Sequence, residues 1–193
     1  MKRIALSLHG YFNNKADPES GNNGFKYLCE TLLSKYEVDV FIHSWDTDKR
    51  DHIEALYSPL FSYFEDQVDF KEVMKTANIS QEYFDEGFDR NNSHYSACQI
   101  SSTLSFLYSR KKALDLVYMY EEENNFKYDV VISARFDLGQ RDKFGKWKYY
   151  VSQMNFDPES DMTCVYSAMW DQLNAGYADQ WFYSNSNNMR LLS

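Results

Sequence analysis

The sequence predicts an α/β domain with a mainly parallel sheet flanked by helices, and two observations carry that expectation. Within the first 45 residues a short apolar run, a polar loop, a helix-periodic stretch and a second β-rich run follow one another. That order is a βαβ unit, whose right-handed crossover makes its two strands parallel. A third apolar run, near residue 130, follows a long helical pattern and repeats the helix-then-strand step. At 193 residues the chain has the length of one domain and can bury a real core.

Each element has its own signal. Residues 3–8 are a short apolar run closed by Gly10, hence a buried strand. Residues 11–23 are rich in Asn, Asp and Gly and read as a loop. Residues 24–36 carry Phe25, Leu28, Leu32, Leu33 and Tyr36 at helical spacing, and residues 38–45 form the second strand. Between 50 and 95 short helix-like pieces (51–57, 60–68 and 70–76) alternate with polar breaks. From 96 to about 124 the pattern is a long amphipathic helix with Ile100, Leu104, Leu107, Leu114, Val117 and Met119 as its apolar residues. Glu121, Glu122 and Glu123 oppose the macrodipole in its last turn and are expected in solvent. Residues 129–134 are a β-branched buried strand running into Arg135-Phe136-Asp137. Residues 151–156 and 162–166 are further candidate strands on either side of Pro158. Residues 178–192 are expected to be helical, at least in their first half. The ending Leu191-Leu192-Ser193 carries no polar tail, which leads us to expect that the natural domain continues.

Composition narrows the function. The net charge is −9 and no basic run exceeds Arg110-Lys111-Lys112. A nucleic-acid binder needs a basic face to displace phosphate counterions, so nucleic acid is not an expected partner. An acidic protein can still hold an anionic nucleotide through a metal ion or a few local cations. Cys29, Cys98 and Cys164 are odd in number and far apart, which supports reduced thiols in a cytoplasmic setting rather than a disulfide framework or zinc site. The apolar stretch after Met1-Lys2-Arg3 is too short for a signal peptide, and no stretch has the length of a membrane span. There is no P-loop, no GxGxxG and no GxSxG elbow. His9, His43, His52 and His94 lack zinc-site spacing, and His43, in mid-strand, reads as a satisfied core histidine. Tyr (16) and Phe (14) are plentiful, and such rings serve cores as well as sugar and nucleotide sites.

Three predicted strands end in polar residues: His9-Gly10, His43-Ser44-Trp45-Asp46 and Arg135-Phe136-Asp137. Open α/β sheets bind ligands outside the carboxyl ends of their strands, so parallel neighbours would bring these three ends to one edge. Arg135 and Asp137 are two residues apart and therefore share a side. The carboxylate could hold Mg²⁺ or Mn²⁺ bridging a diphosphate, and the arginine could bind phosphate bidentately. Equally, the two could form a structural pair that caps the strand.

The chain resembles a family of bacterial and phage glycosyltransferase-like proteins of surface-polysaccharide biosynthesis, which have a GT-A-like (Rossmann-like) fold. The likeness lies in residues 4–10, 38–46, 107–113 and 128–138, and in the Ala178-Asp179-Gln180-Trp181-Phe182-Tyr183-Ser184 segment. It implies transfer of a sugar from a nucleotide-diphosphate donor to a glycan or other hydroxyl acceptor, with a divalent metal (Mn²⁺ or Mg²⁺) at Asp137. It also implies that His9, Gly10, Asn13, Trp45, Asp46, Arg110 and Arg135 bind the nucleotide and donor, and that Asp179 is the catalytic base. The chain departs from the family at two points. Arg135-Phe136-Asp137 replaces Asp-x-Asp, leaving one carboxylate where two would hold a metal better, and the first loop lacks the family's arginine, so Asn13 or Lys15 would have to substitute. Bland readings stand beside these roles: a packed indole for Trp45, a helix N-cap for Asp46, a solvated face for Arg110 and Lys111, and a helix N-terminus for Asp179. Two rival functions follow: a non-catalytic nucleotide- or carbohydrate-binding module with the same fold, and a different α/β enzyme acting on a phosphorylated small molecule.

Overall fold

The apolar run at the start of the chain forms the central strand of a six-stranded sheet in the computed structural model, which describes residues 2–13, 17–76, 97–139, 153–168 and 179–193. In chain order the elements are β1 (Ile4–Gly10), α1 (Ser20–Leu28, continued by a π-helical turn, Cys29–Leu33), β2 (Val38–Ser44), α2 (Arg50–Tyr57), β3 (Phe61–Phe64), α3 (Phe70–Thr76), α4 (Ala97–Glu123), β4 (Val130–Arg135), β5 (Tyr166–Ser167), β6 (Trp181–Ser184) and α5 (Ser186–Leu191). The strand order is β3-β2-β1-β4-β6-β5. Strands β1 to β4 run parallel, while β6 pairs antiparallel with both β4 and β5. The domain is therefore an α/β fold with a mixed, mostly parallel sheet of Rossmann-like type.

Side-chain alternation splits the core into two layers. Ile4, Leu6, Leu8, Val40, Ile42, Val130 and Ile132 face α1 and α2, meeting Tyr27, Leu28, Leu32, Ile53 and Tyr57. Ala5, Phe41 and Val131 face the other way, onto Leu114, Val117 and Tyr118 of α4 and Met189 of α5. Burial on both faces explains why β1 and β4 read as unbroken apolar runs. Each fully buried Leu or Ile contributes roughly 1.5–3 kcal/mol, so these layers dominate the stability. Helix α1 lies unusually close to the turn after β4: a Cβ on Gly24 would overlap the Phe136 carbonyl oxygen. Only glycine fits there.

The structure corrects several expectations. Within 60–68, where a helical piece was expected, the chain forms β3 instead. Helix α2 ends at Ser58 in the left-handed conformation (φ 44°), Pro59 cannot continue it, and the aromatic segment Phe-Ser-Tyr-Phe then pairs with β2. In 178–192 the first half is strand β6 and only the second half is helix, started by Asn185, whose side chain accepts the Asn188 N–H. Residues 153–156 are irregular, and the 162–166 strand reduces to the two residues of β5. The first loop ends early, because α1 begins at Ser20. Glu122 and Glu123 are exposed, but Glu121 is buried. Its carboxylate accepts the Tyr128 N–H (2.8 Å) and the Ser186 hydroxyl (2.8 Å), tying α4 to β4 and α5. Lys15, His94, residues 77–96, 151–152 and Ala178 lie outside the described residues. No helix among the described residues is long and apolar enough to cross a membrane.

Candidate functional site

Register brings the three polar strand ends together. His9 lies opposite His43 on one side and Arg135 on the other, and Gly10 lies opposite Ser44. Strand order reverses direction around β1, so this edge is the switch point where α/β sheets bind ligands. By alternation His9, His43 and Arg135 all project to the α4 side of the sheet. The first half of α4 lies over them. Phe106 meets the His9 ring edge-on at 5.2 Å, and Tyr108 stacks on Trp45 at 5.5 Å with an interplanar angle of 21°.

A hydrogen-bonded chain runs beneath this cover. Ser109 Oγ accepts the Gly10 N–H at 2.8 Å and lies 2.7 Å from His43 Nδ1, while His43 Nε2 lies 3.0 Å from Glu65 Oε1. Burial lowers the His43 pKa, although Glu65 opposes it, so the ring is neutral near pH 7. Burial also pushes the Glu65 carboxyl up, but the His43 hydrogen bond and charge, with the Tyr108 and Tyr63 hydroxyls, outweigh this and hold it below its ordinary value. An ionised carboxylate can only accept. The proton therefore sits on Nε2, Nδ1 accepts from the Ser109 hydroxyl, and every group in the chain is satisfied. Ser109 and His43 are fully buried, which keeps this Ser-His-Glu series away from any substrate. Its effect is to fix Gly10, which has a φ of +96° and no heavy atom within 4 Å of where a Cβ would stand.

Asp46 is 8% exposed. Although it stands at the N-cap of the short turn Thr47–Lys49, its side chain does not cap that turn. Its carboxylate accepts the Phe12 N–H at 2.6 Å and meets Lys49 Nζ at 3.3 Å, tying the β2 end to the loop after β1. Asn13 Oδ1 accepts the Gly21 N–H at 3.1 Å and so serves the start of α1. Trp45 is buried against Tyr108 and His43, a packed indole. Lys111 pairs with Asp115 on the outer face of α4.

The Arg135 guanidinium meets both oxygens of Asp137, Nε to Oδ1 at 2.9 Å and Nη2 to Oδ2 at 2.7 Å, and reaches Asp179 Oδ2 with Nη1 at 3.1 Å. Burial lowers its pKa, but the charges of Asp137 and Asp179 more than reverse this and raise it. Asp137 is buried, whereas the Arg135 and Asp179 side chains are 31% and 48% exposed. One cation faces two carboxylates, so the cluster is net negative. The surroundings of Asp137 do not fit a divalent cation, because Arg135 engages both carboxylate oxygens. Among the described residues no group of three or more His, Cys, Asp or Glu is placed to hold a metal ion.

Arg110 follows Ser109 on α4. It is 7% exposed, donates from Nη2 to the Leu192 carbonyl (2.9 Å) and lies over the Phe182 ring at 4.7 Å. The expected solvated face is thus correct for Lys111 and incorrect for Arg110, which turns inward. The site residues not anticipated from the sequence are Ser109, Glu65 and Tyr108. The available signal was the row Ser105, Ser109, Ala113 and Val117 at four-residue steps, a face of mostly small residues that lets α4 lie close on the sheet.

Fold and site together define a Rossmann-like α/β domain with its polar residues gathered at the switch point of the sheet. Comparison with protein-family models, curated proteins and solved structures gives no match to this chain.

Proposed function

We propose that the chain is a glycosyltransferase that binds a nucleotide-diphosphate sugar over the carboxyl ends of β1, β2 and β4 and passes the sugar to a hydroxyl acceptor. The observation that supports it best is the half-exposed Asp179 carboxylate held 3.1 Å from Arg135 at the rim of the switch point. In this reading Asp179 takes the proton of the acceptor hydroxyl as its oxygen bonds to the anomeric carbon. The bond from that carbon to the diphosphate breaks, and the nucleoside diphosphate leaves. Arg135 orients Asp179, and the open space at Gly10 admits the donor. The family resemblance, with a GT-A-like arrangement of the donor site, supports the same reading.

A second reading, a binding module without turnover, draws on the pairing of Asp137 with Arg135. Calorimetric titration with UDP- and GDP-sugars, with and without Mn²⁺, is to be run beside an assay of nucleoside diphosphate release. Binding with release that Asp179→Asn abolishes supports transfer. Binding without release supports the module, and absence of binding removes both.

A further inference from the structure

Arg110 is a buried guanidinium that makes no ion pair with a described residue. Burying a charge without a counter-charge is expensive, and proteins seldom leave one so. Its Nε is buried and has no hydrogen-bond partner, and the same holds for Nδ1 of His9, which is 2% exposed. The His9 ring packs on Phe106, one helical turn before Arg110 on α4, and Gly10, with open space where a Cβ would stand, is held by Ser109, the residue before Arg110. Burial holds the His9 pKa well below its ordinary value, and the charges of Arg110 and Arg135 reach His9 and lower it further. The Arg110 Nε–H thus lacks an acceptor, no described residue supplies its guanidinium with an anion, and the His9 ring has an unpartnered nitrogen. Arg135 cannot fill that need, since two carboxylates already take it.

We propose that Arg110 and His9 form a subsite that binds the phosphate of a diphosphate group without a divalent cation. The assignment to a donor's diphosphate rests on the sugar-transfer reading above. Arg110 supplies the charge that a metal would otherwise supply, and His9 supplies a neutral N–H. Charge-assisted hydrogen bonds to phosphate are about twice as strong as neutral ones, so the guanidinium carries most of the affinity.

The test is calorimetry with inorganic pyrophosphate, UDP and GDP in the presence of EDTA, on wild type, Arg110→Lys, Arg110→Gln and His9→Gln. Pyrophosphate and at least one nucleoside diphosphate should bind without metal. Arg110→Gln should weaken binding at least tenfold, His9→Gln less, and Arg110→Lys should keep part of the affinity. Because Arg110 also holds the Leu192 carbonyl and its variants could unfold, the wild-type His9 imidazole is followed by NMR as well. Bound pyrophosphate should raise its pKa and shift its nitrogen resonances. Absence of binding in EDTA, undiminished binding by Arg110→Gln, or an unmoved His9 signal overturns the subsite. Metal-free binding with no sugar release keeps the subsite and removes the transfer reading. Release that depends on Mn²⁺ for binding does the reverse.

Discussion

Replacing Ser109 with Ala isolates the buried chain that holds Gly10. The hydroxyl accepts the Gly10 N–H at 2.8 Å and donates to His43 Nδ1 at 2.7 Å, and Ser109 and His43 have no exposed surface. Alanine strands the buried His43 Nδ1 and removes the acceptor of the half-buried Gly10 N–H. The unsatisfied buried His43 nitrogen costs about 1–3 kcal/mol, the Gly10 bond about 1 kcal/mol, and the better helix propensity of Ala returns about 0.5 kcal/mol, so the net loss is about 1.5–3.5 kcal/mol. Ser105→Ala is the matched control on the same face of α4. Among the described residues its hydroxyl accepts from Gln67 Nε2 at 2.9 Å in a partly exposed setting and has no buried histidine behind it, so its loss should cost about 1 kcal/mol or less. Urea unfolding followed by far-ultraviolet circular dichroism gives both numbers from the midpoints, provided the slope is unchanged. If Ser109→Ala lies within about 0.5 kcal/mol of wild type, or no lower than Ser105→Ala, the chain does not hold the edge of the sheet as argued.

Three further perturbations test other parts. Gly24→Ala should lose about 3 kcal/mol or more, read by thermal unfolding and soluble yield, because the added carbon meets the Phe136 backbone rather than a side chain that could move. Asp137→Asn should cost about 2–3 kcal/mol by urea unfolding, less than a wholly buried pair, because the Arg135 side chain is 31% exposed and keeps Asp179. Stability should also fall with acidification. His9 and His43 have folded pKa values below the ordinary 6.5, so the unfolded chain takes up those protons first. Stability is then full above about pH 6.5 and declines by about 1.4 kcal/mol per pH unit for each histidine down to its folded pKa. Urea midpoints at about pH 7.5 and pH 5.5 check this, and a flat response removes the neutral-histidine assignment.

The centre of the fold was legible because its strands are buried on both faces and carry no competing signal. β1, β2 and β4, and the long helix α4, fall within a residue or two of their expected bounds. The errors lie where local chemistry and tertiary pairing disagree. Phe61–Phe64 and Trp181–Ser184 are short aromatic segments whose apolar residues suit either period, and pairing with β2 and β4 decides them. Glu121 reads as a surface charge from its position in the helix, but its partners come from residues 128, 186 and 190. The convergence of His9, Asp46 and Arg135 follows from parallel register and was legible. The cover over them was not, because the sequence does not say that a row containing Ser105 and Ser109 faces the sheet and carries Tyr108 onto Trp45.

That cover decides where binding energy can come from. Trp45 already has Tyr108 stacked on it, so a nucleobase beside the indole must first displace the tyrosine. An aromatic pair is worth about 0.5–1.5 kcal/mol and a stacked base about 1–3 kcal/mol, so the exchange gains on the order of 1 kcal/mol. Two charge-assisted hydrogen bonds to a diphosphate contribute about 3–6 kcal/mol. Affinity must then reside in the phosphates, and uridine or guanosine should bind at least ~100-fold more weakly than the matching diphosphate. Competition calorimetry with the nucleoside against the nucleoside diphosphate measures this ratio. A nucleoside that binds as tightly as its diphosphate would place the energy on the base, and neither Arg110 nor the packed Trp45 would then account for recognition.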